Sequence, residues 1–503
     1  MADARTAEGL PEKQLNELLR RVDWRFLLRS EKAPTVADMT AGKTSLAVHL
    51  IAAEEQPLPG DADLATIGYP TRLALRGAIE SVRPGGEIAC LWRLPRPAGP
   101  QRAAARLRAA GLESVQVLWP GPTPFGSPQF WLPLESPVAT ERLLASRPPR
   151  SVLHAILRPL WRAAVRTGLL APICLIGRTP GASESGPDAL DTTFDRGSGL
   201  LLTGGRRSIN KAAGIALDPA GAPVEVLKFA RVAAADGALE REAAALRTIE
   251  AERPELPGVP RLLAAGRRAG RRALAESAVE GTPLIERLSP ASFEELAGAV
   301  AGWLIGLAQG GEPRAPAEWR ERLVGERLRR FEREFGAVLA AGTLERLEDT
   351  LAALGPLPIV PEHRDCSPWN VVLGERDAPG LHDWESAEPH GLPGLDLAYF
   401  LANCAFVLDG ALESGRTRES YDRLRDPTTP LGAVAARSEA EYSEALAIDA
   451  DDYARLRLLA WLVHSASDYN HLAMESGREA LDRTALRTST YLGLIEAELA
   501  LAS

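Results

Sequence analysis

The chain has 503 residues, 45% apolar and 25% charged, and its 58 basic and 67 acidic side chains leave a formal net charge of -9. That length exceeds one ordinary core and predicts two or three domains. The composition excludes a mainly disordered chain and a polytopic membrane protein, and the acidic balance argues against a nucleic-acid binder, which carries a basic face. No apolar run reaches about 18 residues, so no membrane span is expected. The first 21 residues are charged and lack the apolar stretch of a secretory leader. Cys90, Cys174, Cys366 and Cys404 stand far apart with no CxxC pair, which removes zinc and dithiol chemistry. These features together predict a cytoplasmic protein. Only five lysines occur, Lys13, Lys32, Lys43, Lys211 and Lys228, so each is worth examining.

Residues 1–35 read as a polar, helical start. From residue 61 the pattern alternates: a strand over 61–70, a helix over 71–82, a turn at 83–86, then a strand over 86–94. A helix over 100–112 and two strands over 113–121 and 128–136 follow. This alternation predicts an α/β layer with a mainly parallel sheet. Residues 151–176 read as a helix running into a strand. Arg158, Arg162 and Arg166 share one helical face, as a membrane-surface helix would arrange them or as an ordinary solvated face would. Residues 179–198 are rich in Gly, Ser, Pro and Asp and read as a linker.

The second part opens with strands over 199–205, 208–219 and 223–232, joined by glycine-containing turns, which suggests an antiparallel sheet. A helix over 237–252 and two short strands over 259–266 and 271–279 come next. Beyond Gly281 the chain turns helical. Ser292 and Glu295 form a capping-box pattern ahead of an apolar stripe at Leu296, Val300, Trp303, Leu304 and Leu307. Further helices are expected over 318–353, 394–410, 433–447, 450–475 and 479–501.

The densest polar cluster lies at 361–385, PEHRDCSPWNVVLGERDAPGLHDWE. It holds His363, Asp365, Asn370 and Asp383. Two short strands joined by a turn bring Asn370 and Asp383 to one end of a hairpin, where two oxygen ligands suit a hard cation such as Mg²⁺. Asp365 lies nearby with a carboxylate able to take a hydroxyl proton. Phosphoryl transfer to an alcohol needs this set. A surface loop rich in Asp, Asn and Pro is the plain alternative, but it does not account for the flanking strands. Lys228 sits in the middle of an otherwise apolar strand, where an unpaired charge is costly. Glu240 and Glu242 on the next helix can pair with it, Glu242 preferred. Gly204, Gly205 and Ser208 belong to a turn about 20 residues before Lys228, close to where phosphates are expected.

With these residues in view, segment 199–400 resembles the aminoglycoside phosphotransferase and choline kinase group of small-molecule kinases. The resemblance rests on the loop at 203–208, Lys228, Glu242, HRDCSPWN at 363–370, DWE at 383–385 and GLPGLDLAYFL at 391–401 with Asp396. It implies a bilobal protein-kinase-like α+β fold, with a small β-rich lobe over 199–282 and a large helical lobe over 283–503. It further implies Asp365 as catalytic base, His363 as a brace of its loop, and Asn370 and Asp383 on Mg²⁺. Lys228 would contact the ATP phosphates, and Glu276 with Ser277 would stand at the adenine hinge. Protein kinases share HRD-x4-N, but DWE replaces DFG and no APE segment follows, so a small-molecule acceptor is favoured.

Residues 1–178 resemble the later half of class I methyltransferases, a Rossmann-like α/β layer. Strands over 61–70 and 86–94 would be their fourth and fifth, and 113–121 with 128–136 their last pair. Residues 1–60 carry no GxGxG and are short for three strands, so a degenerate domain that does not use S-adenosylmethionine is expected. AGKTS at 41–45 invites a P-loop reading, but that motif needs Gly where Ala37 stands. The remaining histidines show no metal-ligand spacing. The expectation is an ATP- and Mg²⁺-dependent kinase acting on a small-molecule hydroxyl. A nucleotide-binding scaffold and a bifunctional methyltransferase–kinase are the alternatives. Asp451, Asp452, Asp468 and Asn470 are candidate acceptor contacts in the helical lobe.

Overall fold

The computed structural model describes residues 10–28, 30–92, 99–121, 127–145, 173–181, 190, 199–476 and 483–501. The basic helix expected in the first part of 151–176 lies outside them, as does most of the 179–198 linker. The chain divides into two compact units. One is Met1–Ala243 with Arg261–Ala278, and the other is Ala244–Pro260 with Val279–Ser503.

The first unit is built on one sheet of eleven strands. These are β1 (Val36–Asp38), β2 (Ala62–Ile67), β3 (Val82–Trp92), β4 (Glu113–Gly121), β5 (Phe130–Pro133) and β6 (Ile173–Arg178), followed by β7 (Gly199–Leu202), β8 (Ala212–Leu217), β9 (Pro223–Phe229), β10 (Leu262–Arg268) and β11 (Arg271–Ser277). Their order is β1-β2-β3-β6-β4-β5-β7-β8-β9-β11-β10. The helices α1 (Glu12–Val22), α2 (Gly42–His49), α3 (Arg72–Ser81), α4 (Gly99–Ala109) and α5 (Pro137–Ala145) belong to this unit.

The sheet corrects the expectation of mainly parallel pairing. Only β1–β2 and β2–β3 pair in parallel. β6 is antiparallel to both β3 and β4, so β3 and β4 run the same way without touching. The crossover helix α3 sets the parallel β2–β3 pair, as such connections do. The RPGG turn expected at 83–86 is instead absorbed into β3 as a register shift, with Gly85 at φ 77. The described part of residues 10–60 supplies a strand and two α-helices, with α1 inside the stretch read as a polar, helical start. Asp38 at the end of β1 accepts hydrogen bonds from Thr40 N and Oγ1 (2.9 and 2.6 Å), Ser45 Oγ (2.5 Å) and Thr66 Oγ1 (2.6 Å). The AGKTS string is thus a strand-to-helix junction with Ser45 tied inward. The second group of strands is antiparallel throughout, as its glycine turns suggested.

Pairing of β5 with β7, Phe130 to Leu202 and Trp131 to Leu201, makes the early and late strands one sheet. Period-two alternation then sends side chains to opposite faces. Cys90, Val117, Trp119, Phe130, Leu132 and Leu200 enter one core. Ala89, Leu118, Trp131, Leu201, Leu227 and Phe229 enter the other, together with Trp24, Phe26 and Leu28. The rings of Phe26 and Phe229 stack at 4.7 Å and 8°, so the segment after α1 covers the face of the later strands. Phe26→Ala removes a fully buried ring and is expected to cost about 3–5 kcal/mol, read as a lower urea midpoint for a tryptophan signal of this unit.

The second unit is mainly helical. It takes the residues of helix α6 (Asp236–Glu252) from Ala244 onward, and α7 (Phe293–Ala308), α8 (Leu395–Leu408), α9 (Ala450–Ser476) and α10 (Thr490–Leu501) supply many of its buried apolar side chains. The predicted stripe on α7 is buried at all five positions. The capping box is not formed. Ser292 has helical backbone angles and its hydroxyl donates to Arg287 O at 2.8 Å, because a serine-rich turn at 289–292 closes on itself first. No helix of the described residues is long and apolar enough to cross a membrane.

Candidate active site

The loop at 363–370 follows strand Val360–Glu362 and leads into strand Val371–Leu373. The latter pairs antiparallel with Pro379–Leu381, Val371 opposite Leu381. This hairpin was legible in the sequence, and it places His382 N on Asn370 O at 3.2 Å. Asp383 then adopts φ 75, a left-handed conformation that non-glycine residues rarely hold outside functional or tightly supported positions. Asn370 Nδ2 donates to Asp365 O at 2.9 Å and to Asp365 Oδ2 at 2.8 Å. The hydroxyl of Tyr399 on α8 lies 3.4 Å from Asp365 Oδ1. Burial, then the nearby Asp383 charge, pushes the Asp365 carboxyl up to about 7, with the Asn370 hydrogen bond pulling the other way.

His363 is fully buried. Its Nε2 donates to His382 O at 3.1 Å, and its Nδ1 accepts from Asp365 N at 3.2 Å. The ring therefore ties the end of the second hairpin strand to the 363–370 loop. Trp384, also buried, packs edge-on against it at 4.6 Å, whereas Trp369 is 43% exposed. The loop has a second anchor that the sequence did not assign. Asp396, in the first turn of α8, accepts from His363 N and Arg364 N, each at 2.7 Å.

The first unit holds its own polar set. Lys228 on β9 is 5% exposed; its Nζ donates to Glu242 on α6 and to Glu276 on β11 at 2.8 Å. Lys211 stands 3.7 Å from the second oxygen of Glu242. The preferred partner, Glu242, is thus the one found, while Glu240 pairs with Arg272. Burial raises the Glu276 carboxyl above its ordinary range, and Lys228 opposes that shift. Glu276 was expected at an adenine hinge; its carboxylate is engaged by the lysine. Ser277 exchanges two 2.9 Å bonds with Arg261, through N–H to Arg261 O and through its hydroxyl from Arg261 N. Gly204, Gly205 and Ser208 lie between β7 and β8, against α1. Ser208 donates its N–H and its hydroxyl (2.8 Å) to Glu12. A Cβ at Gly204 would meet Asn210 O at 2.5 Å, so only glycine fits there.

Among the acceptor candidates, Asp452 is structural: it takes Gly355 N at 3.2 Å and Arg455 at 2.8 Å. Asp468 differs. It accepts from Ser489 Oγ at 2.5 Å and acts on the Tyr491 hydroxyl, which is itself bonded to Tyr399. Tyr399 stacks on His464 at 3.7 Å and 9°. Burial drives His464 down to about 3, leaving it neutral. A chain of half-buried groups, Asp468, Tyr491 and Tyr399, thus ends at Asp365. The four cysteines are all buried, Cys366 included, with thiols pushed up by burial and so unreactive.

Comparison with known proteins adds the following. Residues 220–431 match the family model described as APH, phosphotransferase enzyme family. No curated protein matches the chain. Similar solved structures include aminoglycoside phosphotransferase APH(3'')-Id from Streptomyces rimosus, 19% identical, covering 50% of this chain and 89% of that one at TM-score 0.32. A GDP and kanamycin complex of APH(2")-IIia is 17% identical, with 58% and 91% covered at 0.37. A glucosamine kinase is 17% identical, with 57% and 75% covered at 0.34. Residues 220–431, which carry Lys228, Glu242, Asp365, Asn370 and Asp383, are thereby matched to the phosphotransferase enzyme family.

Proposed function

We propose that the protein is an ATP- and Mg²⁺-dependent kinase that moves the γ-phosphate to a hydroxyl of a small molecule. The observation that carries this is Asp365, a carboxyl whose proton affinity is raised by burial and by the neighbouring Asp383, and which the Asn370 amide fixes. The acceptor oxygen forms a bond to the γ-phosphorus as the bond to the ADP oxygen breaks, and Asp365 receives the hydroxyl proton.

A cation fits the residues present. Asn370 spends its amide nitrogen on Asp365, which leaves Oδ1 for the metal, and Asp383 adds a carboxylate held in an unusual conformation. One amide and one carboxylate suit Mg²⁺, which takes few protein ligands and completes its shell with phosphates and water. When bound, the ion would neutralise phosphate charge. Lys228, held by Glu242 and Glu276, is the candidate cation for the ATP phosphates, and His363 braces the loop that carries Asp365. The acceptor hydroxyl takes the place of the Tyr399 hydroxyl on Asp365 Oδ1, with Asp468 and Tyr491 as its neighbours. A cytoplasmic location, where ATP and reduced thiols coexist, completes the reading.

Titrating ATP into the protein with and without Mg²⁺, beside Asp383→Ala, tests it. The expected result is Mg²⁺-dependent binding that the substitution removes. No binding up to millimolar ATP overturns the assignment.

A further inference from the structure

The loop at 203–208 is gripped by a helix from the start of the chain. Asn16 Nδ2 donates to Gly205 O at 3.2 Å, and Arg20 donates to Gly204 O at 2.9 Å and also to Gly205 O. These bonds take the loop's carbonyls. Glu12, one turn earlier on α1, takes the opposite kind of group: the N–H and the hydroxyl of Ser208. A carboxylate bonded to one backbone N–H and one hydroxyl is bound as a phosphate oxygen is bound on such a loop.

α1 does not depend on Glu12 for its place. Arg231, buried, donates to Asn16 Oδ1 at 2.7 Å and stands 2.9 Å from Asp23 Oδ2, and Arg25 donates to Arg231 O at 2.9 Å. Leu18 and Val22 pack with Ala47, Val48 and Ile51. Removing the Glu12 carboxylate therefore leaves the helix docked and the loop carbonyls held. What changes is the occupancy of the Ser208 donors.

Resting on the kinase reading above, we propose that Glu12 is an intramolecular competitor for the nucleotide's phosphate. Through α1 the N-terminal part of the chain then sets the nucleotide affinity of the glycine-rich loop. The phosphate and the Glu12 carboxylate carry the same sign and need the same two donors, so one excludes the other. This gives residues 10–28 a role in the reaction that needs no methyl-transfer chemistry. A merely supportive Glu12 predicts the reverse effect, because a loop that loses its brace binds nucleotide less well.

A Glu12 contact closed about nine-tenths of the time weakens apparent affinity about tenfold. Calorimetric titration of MgATP into the full-length wild type, Glu12→Ala, Glu12→Gln and Glu12→Ala combined with Ser208→Ala reads this directly, with thermal midpoints as the check on folding. The expected result is about tenfold tighter binding for Glu12→Ala. A smaller gain is expected for Glu12→Gln, which keeps one acceptor oxygen. The combined variant, which lacks the hydroxyl donor, should gain less over the wild type than Glu12→Ala alone. Unchanged or weaker binding by a folded Glu12→Ala overturns the proposal and leaves the kinase reading standing. No binding by any of the four proteins overturns both.

Discussion

Asp365→Asn is expected to lose between about a hundredfold and ten-thousandfold in kcat while making the folded chain more stable at pH 8. The activity loss follows from the role proposed for the group: an amide cannot take the hydroxyl proton. The stability gain follows from its surroundings. Burial and the Asp383 charge raise the Asp365 carboxyl to about 7 in the folded chain, against about 3.9 when unfolded. Between those values the folded state holds a proton that the unfolded state has lost. Stability from this group is therefore full below about pH 4, falls as pH rises, and is gone above about pH 7. Asn carries no charge and still offers an oxygen to the Asn370 amide. Removing the ionised carboxylate should relieve about 2–4 kcal/mol at pH 8 and almost nothing at pH 4. Thermal midpoints of both proteins at the two pH values, without metal or nucleotide, check it. A midpoint gap that does not widen with pH would mean the carboxylate is not paying this electrostatic penalty.

The sequence made the 363–370 loop legible because its parts are local. His363, Asp365 and Asn370 lie within eight residues, and a hairpin of ordinary length brings Asp383 back beside them. Lys228 was visible for a different reason: a lysine in an apolar strand demands a carboxylate, and Glu242 lies in the second turn of the next helix. The grip of α1 on the glycine-rich loop had no such signal. Glu12 and Ser208 are 196 positions apart, and a glutamate in the first turn of a polar helix is what helix electrostatics alone would choose. The β5–β7 pairing was hidden in the same way, since neither Phe130-Trp131 nor Leu201-Leu202 carries a mark of its partner. The expectation of mainly parallel pairing failed at β6, because an antiparallel insertion leaves the alternation of strands and helices along the chain unchanged.

Asp396 shows how the same kind of group can play the opposite part. Its carboxyl is also pushed up to about 7, by burial and then by Glu362, but two backbone N–H groups resist that shift. Those donors, His363 N and Arg364 N, each need an acceptor, and Arg364 sits at φ 62, a conformation that a non-glycine residue keeps only when held. Asp396→Ala leaves both buried donors unpaired, at about 1–3 kcal/mol each, and frees Arg364 to relax. The expected outcome is a lower urea midpoint, unlike the gain at Asp365, with a fall in kcat larger than any change in KM for the acceptor. Asp396→Asn, which keeps one acceptor oxygen and turns an amide N–H toward the other donor, should recover part of the stability and part of kcat. Asp396 touches no reacting atom in this scheme, so the diagnostic result is that both losses are recovered together. If Asn restores stability but not turnover, Asp396 acts on the chemistry itself and not through the loop that presents Asp365.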